Sequence, residues 1–202
     1  MTTKRLEAFS DGVLAIIITV MVFKIEAPQE SSFQALSAVI KPIASFLLSF
    51  IYLGIYWNNH HHLMHLTGRV DGLVLWANLH LLFWLSLLPF GTHWLNQAGI
   101  ASATVVVYGT ILLGAGIAYR LLCSAILRLE PRDSPLSRAI GHDAKGYLSL
   151  ALYVLALAVS MYEPIVSMVL YFIVSLIWVI PDSRIERAGS VIMDPSDPLD
   201  VE

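Results

Sequence analysis

The sequence contains few charged residues. Only 13% of its 202 residues are Asp, Glu, Lys or Arg, whereas 57% are hydrophobic. Soluble domains carry roughly 25% charged and about 45–50% apolar residues. This imbalance excludes a soluble enzyme or binding domain and predicts a membrane protein. The formal net charge of −3 gives no basic excess, so we expect no nucleic-acid partner.

Cysteine and catalytic motifs are equally sparse. Cys123 is the single cysteine, which excludes a disulfide or a cysteine-based metal site within one chain. No HExxH, Ser/His or paired-aspartate arrangement is present, so we expect no enzymatic activity, no metal and no cofactor. The TVGYG string that forms the selectivity filter of many potassium channels is also absent.

Long hydrophobic runs, by contrast, fill most of the chain. A membrane-spanning helix needs about 20 largely apolar residues, and six segments separated by polar joints meet that need. The sequence therefore predicts an all-α membrane protein, with one six-helix domain over residues 1–181 and a disordered, cytoplasmic tail over residues 182–202. The predicted spans are 9–25, 33–57, 71–95, 102–127, 146–162 and 164–181.

Lysine and arginine residues are unevenly distributed between the two ends of these spans. Ten of the twelve lie on one side or in the adjacent half-helix, and only Lys24 and Lys41 lie on the other. Positively charged loops are retained in the cytoplasm. We therefore expect an inner (plasma) membrane protein with both termini and the loops 58–70 and 128–145 in the cytoplasm. The ten residues are Lys4, Arg5, Arg69, Arg120, Arg128, Arg132, Arg138, Lys145, Arg184 and Arg187.

The stretch RLEAFSDG places charged and polar residues directly before the first apolar run. Ser10 or Asp11 could cap the helix, because side-chain oxygens accept hydrogen bonds from the free amides of a first turn. A cap alone would not need Arg5 one to two turns earlier. An acid beside the membrane with a basic partner is also a candidate functional group, so both interpretations stay open here.

The first helix carries a stripe of side chains spaced by three or four residues, the period that aligns positions on one helical face. The stripe could line a pore or pack against a neighbouring helix. Its members are Gly12, Ile16, Thr19, Val20 and Phe23. Asn78 and His80, two to three turns into the third span, could reach Ser10 or Asp11, or could form ordinary interhelical hydrogen bonds.

The string Arg5-x-x-x-Phe9-Ser10-Asp11-Gly12, heading the first of six spans, resembles the signature of the bacterial relatives of transmembrane protein 175, an endolysosomal potassium channel family. The run LLPF at 87–90 is similar to that family as well. The resemblance implies a potassium-permeable cation channel without a TVGYG filter. It also implies a homotetramer in the lipid bilayer, with the first helix of each subunit lining a central pore.

By the same resemblance, a hydrophobic constriction is implied at Ile16, five residues after Asp11. Thr19, Val20 and Phe23 follow toward the outer end. An isoleucine ring has no oxygen ligands, so it would gate by narrowness and dewetting. The threonine hydroxyls would then be the nearest groups able to replace the hydration shell of an ion.

A polar network at the cytoplasmic end of the pore helix is implied as well. We hypothesise that Arg5 pairs with Asp11 or nearby backbone, and that Asn78 and His80 bond to the Ser-Asp pair. Gly12 would permit close approach of a neighbouring helix. The network residues are Arg5, Phe9, Ser10, Asp11, Gly12, Asn78 and His80.

The run HHHLMH at residues 60–65 has three interpretations. His61 and His65 have the spacing of a transition-metal site on a helix, and imidazoles can sense pH near neutrality. We favour the third interpretation, a solvated turn at the membrane interface, because no acidic or cysteine residue adjoins the run.

The alternative function is a proton-coupled carrier of small solutes or cations that uses Asp11 and His80. Carriers usually place ionisable groups near the midplane, at interrupted helices. Here the middle of the first helix is the apolar run at residues 16–18, and we expect no span with a proline-glycine break near its middle.

Overall fold

The computed structural model describes residues 2–131, 134, 136–137 and 143–179. Every regular element in these ranges is an α-helix. The predicted tail at 182–202 lies outside the described residues, as do Arg132, Arg138, Arg184 and Arg187 of the orientation count. The helices are α1 (Thr3–Phe23), α2 (Ser37–His65), α3 (Gly72–Ser86), α4 (Leu88–Ala98), α5 (Ser102–Leu127), α6 (Ala144–Val159) and α7 (Pro164–Val179).

Four stretches are long and apolar enough to cross a membrane. They are Thr3–Phe23, Ser37–His65, Gly72–Ala98 and Ser102–Leu127, with 21 to 29 residues each. α6 and α7 are also apolar but have 16 residues each, or about 24 Å at about 1.5 Å per residue. The hydrocarbon core is about 30 Å thick, so α6 and α7 are short for a full crossing. The multi-span helical architecture is confirmed, and the count of six spans stays a prediction.

α2 continues to His65, well beyond the predicted end at residue 57. The predicted loop is therefore wrong for residues 58–65, and so is the predicted interfacial turn at the histidine run. No proline or glycine lies between Gly54 and Gly68, and one face of the extra length is buried. Burial of that face supports the helix and directs several of these polar side chains toward neighbouring helices.

The third predicted span is interrupted at Leu87, between α3 and α4. Pro89 explains the break, because proline has no backbone N–H to bond to the Leu85 carbonyl. The Leu87 N–H bonds instead to the Trp84 carbonyl at 3.2 Å. The expectation that no span contains such a break is wrong for this span.

α5 is the most buried of the long helices, and two of its glycines admit bulky neighbours. A β-carbon at Gly109 would overlap the side chain of Tyr171, and one at Gly114 would overlap the ring of Trp84. Tyr171 itself is fully buried, and its hydroxyl donates to the Val105 carbonyl at 3.4 Å. These close contacts fix α5 against α3 and α7.

We expect Gly109→Ala to destabilise the protein by about 1–3 kcal/mol, the usual cost of overpacking a core. The ring of Tyr171 is fully buried, and moving its hydroxyl away from Gly109 would disturb the bond to the Val105 carbonyl. Gly54→Ala is the matched control, because its β-carbon would meet nothing within 4 Å. In a helix that change is neutral or stabilises by up to about 1 kcal/mol. Equal melting temperatures of the two purified variants in detergent would contradict this packing.

Candidate functional site

α1 buries one face and exposes the other. Its buried side chains recur every three or four residues and pack against α2, α3 and α4. Within the described part of the chain the opposite face is uncovered, from Phe9 at 49% exposure through Ile16 at 65% to Phe23 at 80%. All five members of the predicted stripe lie on this exposed face. The buried residues are Leu6, Ser10, Leu14, Ile17 and Met21.

A chain of buried hydrogen bonds ties α1 to α3 and α2. Nδ2 of Asn78 donates to Oγ of Ser10 at 3.0 Å, and the Ser10 hydroxyl donates to the Leu6 carbonyl at 2.9 Å. Nε2 of His60 lies 2.8 Å from Oδ1 of Asn78. An amide oxygen only accepts, so His60 carries its proton on Nε2. Ser10, Asn78 and His60 are all nearly inaccessible to solvent, so their bonds lock three helices together.

Asp11 makes a separate bond to α2. Its Oδ1 accepts from Nε1 of Trp57 at 3.0 Å. Asp11 is half-buried, one residue beyond Ser10 on α1. The motif acid therefore contacts α2, whereas the motif serine contacts α3.

Three hypothesised contacts are not found among the described residues. Arg5 is exposed and takes part in no ion pair, so it does not pair with Asp11. His80 accepts from Nε1 of Trp84 on its own helix at 3.0 Å and borders a groove between α3 and α5. A β-carbon at Gly12 would meet nothing within 4 Å, so no helix of the same subunit approaches closely there.

The sequence interpretation missed His60, which takes the place we assigned to His80. A signal was present, since Tyr52, Tyr56 and His60 recur at intervals of four residues, and all three are buried. A buried helical face thus runs through the polar run.

Among the described residues, no group of three or more His, Cys, Asp and Glu side chains could hold a metal ion.

The loop between α2 and α3 lies beside the start of α1. Oγ1 of Thr3 donates to the Thr67 carbonyl at 3.3 Å. Asp71 caps α3 by accepting from the Val74 N–H at 2.9 Å and forms an ion pair with Arg128 after α5. The Val74 amide and, less strongly, Arg128 lower the pKa of Asp71. This end of the bundle is thus held by polar contacts between several elements.

These features define a class: a multi-span helical membrane protein whose first helix is fixed by polar bonds and presents an apolar face that its own chain does not cover. Residues 5–89 match the family described as the endosomal/lysosomal potassium channel TMEM175. The chain is 48% identical, over 93% of its length and 98% of the relative's, to a protein named as a potassium channel in Chryseobacterium sp. (strain P1-3). The chain belongs to the TMEM175 family, and the resemblance inferred from its first helix is confirmed.

Two further comparisons agree. A protein named as a potassium channel in Streptomyces collinus is 31% identical over 67% of this chain and 72% of its own. The crystal structure of a lysosomal potassium-selective channel TMEM175 homolog from Chamaesiphon minutus matches with a TM-score of 0.77 and 27% identity. That match covers 89% of this chain and 97% of the other. The family is one of channels rather than enzymes, and the similarity extends well beyond the first helix.

Proposed function

We propose that this chain is a potassium-permeable channel in which four copies surround a pore lined by α1. The observation that carries the proposal is the uncovered face of α1, where Ile16 is 65% exposed in the middle of a helix whose opposite face is buried. Four such faces around an axis would cover one another. The names of the bacterial relatives, potassium channels, support the same function.

In this arrangement Ile16 forms the narrowest ring. Its side chain offers no oxygen to a permeating ion, so the ring acts as a gate by narrowness and dewetting rather than as a TVGYG-type filter. Thr19 lies one turn outward, where its hydroxyl donates to the Ala15 carbonyl at 2.9 Å. The lone pairs of that oxygen are then directed toward ions. Val20 and Phe23 complete the outer part of the pore.

The polar bonds of α1 then set its rotation. Ser10 and Asp11 are held on the side of the helix away from the proposed axis, by Asn78 and Trp57 respectively. With those positions fixed, helical geometry directs Ile16 to the axis. Arg5 is exposed, and because it lies eleven residues, or about three turns, before Ile16, it is on the same face of α1 as that residue.

The lysine and arginine distribution supports an inner (plasma) membrane channel with cytoplasmic termini. Its partners are potassium ions, the lipid bilayer and other copies of the same chain. The channel needs no cofactor in this mechanism, because conduction involves no covalent chemistry. The function is transport, with no enzymatic step.

Potassium flux through liposomes containing the purified protein tests the function. We expect currents that rise linearly with the driving force and favour potassium over sodium, together with the mass of a tetramer in detergent. Protein-free liposomes and liposomes with heat-denatured protein are the controls. Absence of any potassium flux from folded tetramers would contradict the proposal.

The carrier alternative predicts saturable, proton-coupled uptake instead. Among the described residues no hydrogen bond or ion pair joins Asp11 to His80, since each bonds to a different tryptophan. A carrier would need these two groups to exchange a proton. Saturation of flux with potassium concentration, coupled to proton movement, would favour the carrier over the channel.

A further inference from the structure

An internal cavity lies between α2, α5, α6 and α7, and among the described residues α1 contributes none of its walls. Tyr56 and Asn59 line it from α2, and Gly116 and Arg120 line it from α5. Its volume is about 40 Å³. One water molecule needs about 10–15 Å³, whereas benzene occupies a cavity of about 150 Å³. The space therefore suits about three water molecules and lies outside the proposed pore.

Two buried polar groups in the cavity wall have unused hydrogen-bonding capacity. Tyr56 is 9% exposed and Asn59 is 6% exposed. Nδ2 of Asn59 donates to the Ile55 carbonyl at 2.8 Å, and its Oδ1 accepts no hydrogen bond from any described residue. The Tyr56 ring makes an edge contact with Tyr119, but its hydroxyl has no hydrogen-bond partner within the described ranges. Buried polar groups without partners are costly, so these two require an explanation.

The charged groups that line the cavity are already paired. Nη1 of Arg120 donates to Oδ2 of Asp143 at 2.6 Å, and its guanidinium carbon lies 3.9 Å from the centre of the Tyr147 ring. Asp143 also accepts from the Gly146 N–H at 2.8 Å. The positive and negative charges of the wall therefore balance. Such a wall favours a neutral occupant over a cation or an anion.

We propose that this cavity binds ordered water, which bonds to the Tyr56 hydroxyl and to Oδ1 of Asn59. Water both donates and accepts hydrogen bonds, and the space has the volume and the polar groups that a buried water needs. An apolar occupant would leave both side chains unpaired. The guanidinium of Arg120 has further N–H groups that can donate to the same waters. The waters then join α2 to α5 by polar bonds.

This inference goes beyond the proposed function, because it does not require α1 to line a pore. It concerns the attachment of α2 to the helices on the side away from α1. The experiments below use the folded, purified chain and measure no flux. Their outcome is therefore independent of whether the protein conducts potassium.

Tyr56→Phe tests the proposal through the sign of a change in melting temperature. If water bonds to the hydroxyl, its removal loses that bond, and the melting temperature in detergent should fall by about 2–4 °C. In a dry cavity the hydroxyl would be a buried group without a partner, so its removal would raise the melting temperature. Tyr162→Phe is the matched control and should cause no change, because Tyr162 is 85% exposed. An unchanged or higher melting temperature of Tyr56→Phe overturns the proposal.

Gly116→Ala tests whether the effect of Tyr56→Phe depends on the cavity. A β-carbon at Gly116 would lie 3.8 Å from the Tyr56 hydroxyl oxygen and 3.1 Å from Cδ2 of Leu150, so it would occupy space beside that hydroxyl. In the Gly116→Ala background the bonded water is displaced, and Tyr56→Phe should no longer lower the melting temperature. An equal fall in both backgrounds would contradict a role for water in this cavity.

A crystal structure of the full chain at a resolution that shows water gives the direct test. We expect water density within about 3.2 Å of the Tyr56 hydroxyl oxygen and of Oδ1 of Asn59. Crystals held under xenon pressure provide the second measurement, because dry apolar cavities bind xenon. The gas should stay out of this cavity. Xenon, or the chain of a lipid or detergent, in place of water would overturn the proposal.

Discussion

Replacing Ile16 with asparagine will raise potassium flux by about tenfold or more and lower the preference for potassium over sodium. Four isoleucine side chains around an axis exclude water, so an ion must shed hydration without receiving other ligands. Four amides supply those ligands, and a barrier reduction of about 1.4 kcal/mol already gives a tenfold change. The measurement is flux through liposomes containing the variant, with potassium and sodium compared in the same preparation.

Ile40→Asn is the matched control for this change. Ile40 is 62% exposed and Ile16 is 65% exposed, so the two substitutions introduce the same group at equally uncovered positions on different helices. Only the change in α1 should alter flux. Equal effects of the two substitutions would mean that exposure of α1 has another cause and that Ile16 does not line the pore.

A cysteine substitution tests the same position by a different route. Cys123 is the single cysteine, so Ile16→Cys in a Cys123→Ala background places one thiol per subunit on the proposed axis. A charged thiol reagent should then block flux within minutes. The control is Ile40→Cys, in which flux should not respond to the reagent. If flux through Ile16→Cys is equally insensitive, Ile16 lies away from the permeation path.

The sequence predicted which side chains share one face of α1, because that arrangement is local. A helix repeats every 3.6 residues, so the spacing from Gly12 to Phe23 already determines which side chains share a direction. The burial of Ser10 against Asn78 was also a sound expectation, because buried polar groups in membrane helices find one another. Four-fold symmetry belongs to several chains, so it leaves no period in a single one.

The partners of the motif were harder to predict. We placed Arg5 beside Asp11, but α1 begins at Thr3, and positions six residues apart do not meet on one helix. We assigned the histidine contact to His80 and placed the run NNHHH in a loop after the second span. Burial in the tertiary structure determines the conformation of this run instead, because the buried face of α2 continues through it. The opposite case is Pro89. There a single residue interrupts the helix, although the hydropathy of the segment is continuous.

Asn78→Leu should strongly destabilise the protein, because Asn78 is fully buried and bonds to two other helices. It keeps the approximate volume but removes the acceptor for His60 and the donor to Ser10, two groups that are buried. Each buried group left unpaired costs about 1–3 kcal/mol, so we expect a loss of about 2–5 kcal/mol. The melting temperature of the detergent-purified protein measures this loss. Ser86→Ala is the control, since Ser86 is exposed and bonds only within its own helix.

The buried network and the pore helix are then linked by one further comparison. Ser10→Ala combined with Asn78→Leu removes a donor together with its acceptor, so the pair should cost less than the sum of the single changes. Flux should follow the same order, because α1 loses its attachment to α3 and Ile16 no longer points reliably to the axis. If the loss of stability in the double variant equals the sum of the losses in the two single variants, Ser10 and Asn78 are not energetically coupled. The rotation of α1 would then depend on its packing and on the bond between Asp11 and Trp57.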